Sequence, residues 1–260
     1  MRVFAISDIH IDFRENYQWL HNLSREDYQN DIMILAGDVV SKITELFKVF
    51  IYLNKIFKEV LFVPGNHDLW IGINSEKNSI EKFDLIRKIA VETGIIMNLK
   101  KYDSLTIVPL FGWYDFSFKK PSKELREKWG DFSECAWPNG FDEVKITNYF
   151  VNMNKEAVNM NNEAMNIKNR YIISFSHFMP RIDLMPIFIP YSKRELYPVL
   201  GTFQLEKQIR QLDSNIHIYG HSHVNRNISK NGIRYINNAF GYPHETIITA
   251  KKLICVYEAI

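Results

Sequence analysis

Five short apolar runs, each followed at once by polar residues, constrain the fold of this chain more than any other feature of its sequence. The runs are Arg2–Ile6, Ile32–Leu35, Val60–Val63, Tyr171–Phe175 and Ile216–Tyr219, and the residues that follow them read SDIH, AGD, PGNHD, SH and GHSH. Runs this short, rich in Val, Ile, Phe and Tyr, are typical of buried strands. Because functional groups gather at the carboxyl ends of such strands, we expect all five polar clusters to lie at one edge of the fold.

Segments with helical spacing of their apolar residues separate these strands. Lys42–Phe57 and Ser79–Glu92 show this spacing, and a long amphipathic helix is expected from about Phe141 to Lys168. Strands that alternate with helices predict an α/β architecture. A length of 260 residues, of which 46% are hydrophobic, suits a single domain spanning residues 1–260.

Residues 111–140 differ from the rest of the chain and are interpreted as a cap-like insertion. Phe111–Trp137 is rich in aromatic residues but is interrupted by proline and charged residues. Phe178–Leu200, which begins directly after His177, contains four prolines. Because loops on a rigid scaffold commonly set specificity, we expect both segments to cover the site and to select the substrate. The alternative is that the aromatic side chains pack between the long helix and the sheets.

Composition narrows the class of partner and the compartment. A formal net charge of +2 argues against DNA or RNA as the partner and favours a small-molecule substrate. Cys135 and Cys255 form neither a disulfide framework nor a C-x-x-C pair, which suits a reducing compartment. The apolar start of the chain is too short for a signal peptide, and no apolar run is long enough to span a bilayer. We therefore expect a soluble cytoplasmic protein with no membrane partner.

Two of the polar clusters share an alternating pattern of potential metal ligands. Asp8 and His10 follow an apolar run, and alternate residues of an extended strand point the same way, so both can reach one metal ion. The pattern recurs at His221 and His223, after Gly220, whose missing side chain lets the backbone come close. Each pattern alone is weak, since D-x-H and H-x-H occur often by chance.

Two further clusters each offer one candidate ligand. The carboxylate of Asp38 has two oxygens and can bridge two metal ions about 3.5–4 Å apart. Its alternative role is to cap a helix that begins near Ser41. His177 follows another apolar run, where a lone histidine is usually structural.

The segment Gly65–Asp68, GNHD, carries the most information. Asn66 offers a neutral amide oxygen as a ligand, and His67 beside it is free to move a proton. Asp68 either orients that imidazole or shapes the turn, since Pro-Gly-Asn is ordinary turn chemistry.

Together, these clusters are far more specific than any one of them. Their order, D-x-H, GD, GNHD, H and GHSH from Asp8 to His223, resembles the pattern of the calcineurin-like metallophosphoesterase superfamily. That resemblance implies a sandwich of two mixed β-sheets flanked by helices, with a dimetal site at the strand ends. GDVVSK and GNHD depart from the GD-x-x-D-R-G and GNHE of protein Ser/Thr phosphatases, and look more like the bacterial phosphodiesterase and small-molecule phosphatase branches. The WYDFSF…CAWP region and the GYP turn at Gly241 resemble an uncharacterised bacterial subgroup.

The resemblance also assigns roles to residues. The implied ligands are Asp8, His10 and His223 for the first metal, Asn66, His177 and His221 for the second, and Asp38 as the bridge. His67 occupies the place of the general acid. The implied reaction is hydrolysis of a phosphomonoester or phosphodiester of a small molecule or nucleotide, by attack of a metal-bridging hydroxide. Oxygen and imidazole donors without thiolates suit Mn, Fe, Ni, Co or Zn.

Several interpretations stay open at this point. A nuclease or protein phosphatase could use the same site, and a non-catalytic scaffold could keep the fold. Arg181 could clamp a substrate phosphate or could be an ordinary surface arginine. His21, His217 and His244 lie outside the motifs and are interpreted as structural or exposed, with His244 the exception if its turn lies near the site.

Overall fold

The computed structural model describes residues 1–72, 77–163 and 171–259, and within these ranges two β-sheets lie face to face. Residues of both sheets, such as Ile34 of the first and Ile173 of the second, belong to one buried apolar cluster between the sheets. Helices flank the pair, and a larger apolar cluster joins them to the outward faces of the strands. The expected α/β sandwich of two mixed sheets is confirmed.

The first sheet has the strand order β10-β1-β2-β3, and the second has the order β4-β5-β6-β7-β9-β8. Their bounds are β1 Arg2–Ile6, β2 Ile32–Leu35, β3 Glu59–Phe62, β4 Lys100–Lys101, β5 Leu105–Pro109, β6 Tyr171–Phe175, β7 Ile216–Tyr219, β8 Arg226–Lys230, β9 Ile233–Asn237 and β10 Ile254–Glu258. β1, β2 and β3 are parallel, as are β5, β6, β7 and β9, while β10, β4 and β8 pair antiparallel at the edges. Parallel strands end at the same edge of a sheet, which gathers the loops that follow them.

The parallel strands are apolar throughout because both of their faces are covered. All four residues of β2 are buried: Ile32 and Ile34 face the second sheet, while Met33 and Leu35 face the helices. This alternation is the period of two that a strand imposes on its side chains.

The helices lie outside the sheets. Their bounds are α1 Arg14–His21, α2 Ile43–Leu53, α3 Ser79–Thr93, α4 Lys123–Lys128, α5 Asp131–Glu134, α6 Glu143–Met153, α7 Lys155–Glu163 and α8 Phe203–Gln211. Short 3-10 helices span His67–Leu69, Ile182–Leu184 and Tyr191–Val199. Among the helices in the described ranges, none combines the length and apolar character needed to cross a membrane.

The expected long helix from about Phe141 to Lys168 is wrong. The chain instead forms α6 and α7, which meet at Asn154, and residues 164–170 lie outside the described ranges. The buried side chain of Asn154 accepts a hydrogen bond from the Phe111 N–H and donates to the Phe111 carbonyl and to Gln208 Oε1, each at 2.8 Å. Asparagine side chains that bond to backbone compete with helix continuation, which accounts for a break that apolar spacing does not reveal.

We expect Asn154→Ala to destabilise the fold, because it leaves the buried backbone groups of Phe111 and the amide of Gln208 without these partners. The loss should be about 2 kcal/mol of unfolding free energy, or roughly 4–8 °C in Tm for a chain of this size. Thermal unfolding measures it, with the exposed Asn152→Ala of α6 as the control for helix propensity. Equal Tm values for the two variants would contradict the role of Asn154.

Candidate metal centre

The loops that follow β1, β2, β3, β6 and β7 meet at one edge of the sandwich. They bring together all seven side chains that the sequence suggests as metal ligands, namely Asp8, His10, Asp38, Asn66, His177, His221 and His223. His177 Nε2 lies 3.5 Å from Asp38 Oδ2, although 139 positions separate the two residues (177 − 38). Clusters far apart in sequence therefore form one site.

The seven side chains form two groups that share Asp38. In the first, His223 Nε2 lies 3.2 Å from both Asp8 Oδ1 and His10 Nε2. In the second, His177 Nε2 lies 3.1 Å from Asn66 Oδ1 and 3.2 Å from His221 Nδ1.

Asp38 lies between the two groups. Its Oδ2 is 3.9 Å from His10 Nε2 of the first group and 3.5 Å from His177 Nε2 of the second. Its Oδ1 accepts a hydrogen bond from the His67 N–H at 2.9 Å. Helix α2 begins only at Ile43 and has no side-chain cap, so the helix-capping alternative for Asp38 is wrong.

The expectation that Asp8 and His10 continue an extended strand is wrong. β1 ends at Ile6, and both residues have left-handed backbones, with φ of 53° and 45°. The loop curls because the Asp8 N–H donates to the Gly37 carbonyl at 2.8 Å and the His10 N–H donates to the Asp38 carbonyl at 3.1 Å. Alternate side chains still point to one centre, but through a turn rather than a pleat.

The same left-handed conformation recurs at Asp38, His221 and His223, with φ of 55°, 67° and 51°. Such conformations cost non-glycine residues on the order of 1–3 kcal/mol each and cluster at functional sites. Gly220 comes so close to the loop after β1 that a Cβ there would lie 2.7 Å from Asp8 Oδ2. Its missing side chain lets the loop after β7 approach, as the sequence suggests.

Asp68 shapes the turn around Asp38, which settles the choice between its two expected roles. Its Oδ1 accepts from the N–H groups of Val39 and Val40 at 2.9 and 3.1 Å. Its Oδ2 accepts from those of Asp38 and Gly65, both at 2.8 Å. One buried carboxylate thus joins the loops after β2 and β3.

Hydrogen bonds to the outer ring nitrogens fix the orientation of three imidazoles. His177 Nδ1 donates to the Ala36 carbonyl and His221 Nε2 donates to the Val199 carbonyl, both at 2.9 Å. His223 Nδ1 lies 2.6 Å from Glu245 Oε2. The opposite nitrogen of each ring therefore faces the centre, as metal-binding histidines require.

Burial controls the protonation of the second group. It lowers the pKa of His177 and of His221 to about 4, so both imidazoles are neutral at neutral pH. Burial also lowers the pKa of His67 to about 3, assisted by repulsion from these two rings. Neutral imidazoles are the form that binds metal ions.

The carboxylates and His223 carry the charge of the site. Burial lowers the pKa of His223, but attraction to Asp8 and Glu245 outweighs burial and raises it to about 9. Burial, followed by repulsion from Asp8, raises the pKa of Asp38 well above its usual range. A buried carboxylate beside another carboxylate favours a cation at this point, and converging oxygen and imidazole donors without thiolates suit a divalent transition metal.

His67 lies at the edge of this centre. Its Nε2 is 4.0 Å from Asp38 Oδ2, and its ring stacks on Trp70 with the ring centroids 3.7 Å apart. It lines a cavity of about 170 Å³ above the candidate ligands. The residues that line this cavity are Asp38, Asn66, His67, Trp129, Leu196, His221, Ser222, His223, Tyr242 and Glu245.

Two larger cavities, of about 330 and 750 Å³, lie together around Met97 and Asn98 on another part of the surface. Neither is lined by any of the seven candidate ligands. The cavity of about 170 Å³ beside His67 is the better candidate for chemistry, because the converging donors lie at its floor.

Both segments expected to cover the site reach the cavity, through Trp129 and Leu196. Residues 113–118 and Arg181 are not among its described lining residues. Trp113 is buried instead and packs against Trp137 and Phe178, with ring centroids 5.0 and 4.9 Å apart. Part of the aromatic segment therefore packs inside the fold, as the alternative interpretation held.

Arg181 is engaged away from the candidate ligands. Its Nε and Nη2 donate to the two oxygens of Asp183 at 2.9 and 2.8 Å, and its Nη1 donates to Glu206 Oε1 at 3.2 Å. The structure does not bring it together with the seven ligands, and two carboxylates already occupy its guanidinium.

The remaining histidines differ in their surroundings. His217 is buried, and its two ring nitrogens contact the hydroxyls of Ser174 and Ser176 at 2.9 and 3.1 Å. His21 is exposed and stacks between two tyrosines. His244 stacks on Tyr242 of the cavity wall with the ring centroids 5.9 Å apart, so its turn does lie near the site.

Sequence reasoning missed Glu245 and Asp131. Glu245 holds His223, and Asp131 Oδ1 accepts a hydrogen bond from Asn66 Nδ2 at 2.8 Å. Neither belongs to a motif, and each is one acid among the 30 acidic residues of the chain.

Comparison with known proteins agrees with this geometry. The model of the calcineurin-like phosphoesterase family matches residues 1–225. The chain belongs to this family, and it is a metal-dependent hydrolase of phosphoric esters.

Particular relatives extend the comparison. The chain is 23% identical over 257 residues to the [acyl-carrier-protein] phosphodiesterase PptH of Mycobacterium tuberculosis, covering 94% of this chain and 78% of that protein. It superposes on the crystal structure of the phosphopantetheinyl hydrolase PptH from the same organism with a TM-score of 0.76 and 23% identity, covering 98% of this chain and 95% of that one. It also superposes on TT1561 of Thermus thermophilus with a TM-score of 0.52 and 10% identity, covering 92% and 90% of the two chains.

We expect Asp68→Asn to loosen the turn that carries Asp38, because an amide nitrogen would face two N–H donors that now meet a carboxylate oxygen. The unfolding free energy should fall by about 3 kcal/mol, or roughly 6–12 °C in Tm. Thermal unfolding and metal content would measure this effect. The exposed Asp84→Asn makes the same charge change on α3, and a Tm for Asp68→Asn equal to that of this control would refute the role of Asp68.

Proposed function

We propose that this chain is a two-metal phosphodiesterase. The observation that carries the proposal is the pair of ligand groups that share Asp38, because a carboxylate placed between two sets of ligands can serve two adjacent ions. The proposed ligands are Asp8, His10 and His223 for one ion, Asn66, His177 and His221 for the other, and Asp38 for both. When bound, two ions such as Mn, Fe, Ni, Co or Zn supply Lewis-acid activation of a water molecule and positive charge beside the phosphoryl group.

The protein supplies orientation and a proton. Asp38, His177 and Asn66 are buried and fixed by hydrogen bonds, so the floor of the cavity is organised before substrate arrives. His67 faces the cavity from its edge, where it donates a proton to the leaving oxygen of the substrate. The negative charge of a bound phosphoester favours the protonated imidazole that this step needs.

The charge of the site supports a diester rather than a monoester. Two divalent ions would bring four positive charges, and Asp8, Asp38 and a hydroxide nucleophile would cancel three of them, which would leave roughly one positive charge. A diester carries one negative charge, whereas a monoester carries about 1.5 to 2 at neutral pH. None of the described cavity-lining residues is Lys or Arg, and Glu245 adds a carboxylate beside His223.

The relatives suggest a substrate class. PptH is named as an acyl-carrier-protein phosphodiesterase and a phosphopantetheinyl hydrolase, and its resemblance to this chain spans nearly the whole fold. We therefore propose a phosphopantetheinyl diester on a carrier protein as the substrate.

The 111–140 segment is proposed as a cap-like insertion within a single domain of residues 1–260. Trp129 from this segment and Leu196 from the loop after β6 stand at the cavity wall, which supports a role in substrate selection. Arg181 has no part in this proposal, because Asp183 and Glu206 engage its guanidinium.

A substrate screen tests the proposed activity. The purified protein, supplied with Mn, Fe, Ni, Co or Zn, is assayed with bis(p-nitrophenyl) phosphate, p-nitrophenyl phosphate and a phosphopantetheinylated carrier protein. We expect kcat/KM to favour the diester over the monoester and phosphopantetheine to be released from the carrier. A preference for the monoester, or for a phosphoprotein or nucleic acid, would replace the proposal, and inactivity with every metal would indicate a scaffold.

Asp38→Asn tests the shared ligand. An amide has one acceptor oxygen and no charge, so this variant should lose retention of both ions and more than about 100-fold in kcat. Metal content and turnover are measured together, with Asp84→Asn as the control. Nearly normal metal content and turnover would exclude a shared role.

His67→Ala separates proton donation from metal binding. The variant should keep its metal but lose about 10²–10⁴-fold on an alkyl diester, whose leaving group needs a proton. It should lose much less on bis(p-nitrophenyl) phosphate, because nitrophenolate leaves without one. An equal loss on both substrates would count against the proton-donating role.

A further inference from the structure

Asp131 lies at the start of α5 and contacts three side chains of the site. It is 2% exposed, and its oxygens accept hydrogen bonds from Asn66 Nδ2, Trp70 Nε1 and Trp129 Nε1 at 2.8, 2.7 and 2.7 Å. We propose that Asp131 is a positioning residue for the phosphodiesterase reaction. Its hydrogen bonds orient a metal ligand, the side chain that supports the proton donor, and the cavity wall. The inference rests on the proposed function.

The first group that Asp131 sets is the amide of Asn66. An amide can present either its oxygen or its NH₂ group to the centre, and only the oxygen binds a cation. Because Nδ2 donates to Asp131, Oδ1 faces inward and lies 3.1 Å from His177 Nε2. Outer partners of this kind typically account for about 10–100-fold in metal affinity or activity.

The second group is the indole of Trp70. Asp131 Oδ1 accepts from Trp70 Nε1, and the face of that indole stacks on His67 at an interplanar angle of 28°. His67 therefore rests on a surface that Asp131 holds in place. A proton donor must lie within hydrogen-bond reach of its target, so a turn of this surface would impair transfer to the leaving oxygen.

The third group is the indole of Trp129. Asp131 Oδ2 accepts from Trp129 Nε1, and the same indole lines the cavity and meets the His221 ring edge-on, with centroids 5.9 Å apart. The orientation of this apolar wall therefore depends on a carboxylate that does not itself line the cavity.

A carboxylate suits this position better than an amide because each of its oxygens has a donor to accept. Oδ1 takes two N–H groups and Oδ2 takes one, so no orientation of an asparagine at position 131 satisfies all three. Hydrogen bonds to a charged acceptor are also stronger and shorter than neutral ones.

The test begins with Asp131→Asn and titration of metal-free protein with Mn²⁺ by calorimetry. We expect Mn²⁺ affinity to fall about 10–100-fold. In an Asn66→Ala background the same substitution should cause no further fall, because its effect on metal passes through Asn66. The matched control is Asp142→Asn, which makes the same charge change nearby and keeps an N-cap side chain at α6.

Kinetics of two further variants test the other two contacts. Trp129→Phe and Trp70→Phe keep an aromatic ring and remove the N–H that Asp131 accepts. Trp129→Phe should raise KM several-fold with little change in kcat. Trp70→Phe should lower kcat on an alkyl diester more than on bis(p-nitrophenyl) phosphate, because a displaced His67 impairs only the reaction whose leaving group needs a proton.

Each result of these experiments either supports or overturns the role of Asp131. An Mn²⁺ affinity of Asp131→Asn equal to that of the wild type would overturn the proposal. It would also be overturned if Asp131→Asn lowered Mn²⁺ affinity equally in the wild-type and Asn66→Ala backgrounds, because general destabilisation produces that result. If Asp131→Asn does not fold, the two tryptophan variants decide, and unchanged kinetics in both would overturn it. If the wild type hydrolyses no diester, the proposed function fails, while the Mn²⁺ titrations still test the role of Asp131.

Discussion

The four backbone hydrogen bonds accepted by Asp68 are the interaction on which the rest of the site depends. They fix the peptide groups of the loops after β2 and β3 against a single buried carboxylate. Asp38 is thereby held in a left-handed conformation between the two ligand groups. The His67 N–H in turn donates to Asp38, so the loop that carries Asn66 is attached to the same point.

The cost of this arrangement lies in electrostatics and backbone strain. Asp8 and Asp38 are both buried and repel each other, and five of the seven candidate ligands adopt left-handed backbones. Both features oppose folding, and both are of the kind that proteins keep at functional sites rather than for stability. The surrounding structure compensates: the apolar clusters between and outside the sheets hold the strands whose ends carry the strained loops.

The strands followed from the sequence because their apolar runs are buried on both faces, and β1, β2, β6 and β7 begin and end at the expected residues. The candidate ligands followed because each lies directly after such a run. The break between α6 and α7 at Asn154 could not be predicted from the sequence. It arises because the Asn154 side chain bonds to Phe111, which is far away in sequence. The roles of Asp131 and Glu245 could not be predicted for the same reason. Their partners lie at residues 66 and 223, and no local sequence pattern marks either acid.

The division of ligands between the sheets has a consequence for the order in which this protein can mature. In the proposed assignment, Asp8 and His10 follow a strand of the first sheet, whereas their partner His223 follows a strand of the second. The other group is divided likewise between Asn66 and the pair His177 and His221. In that assignment, neither ion would have its full set of donors until β7 has joined its sheet and the loop that carries His221 and His223 has been synthesised. Metal acquisition would thus follow the assembly of both sheets, and a nascent chain that ends before β6 would hold only part of each set.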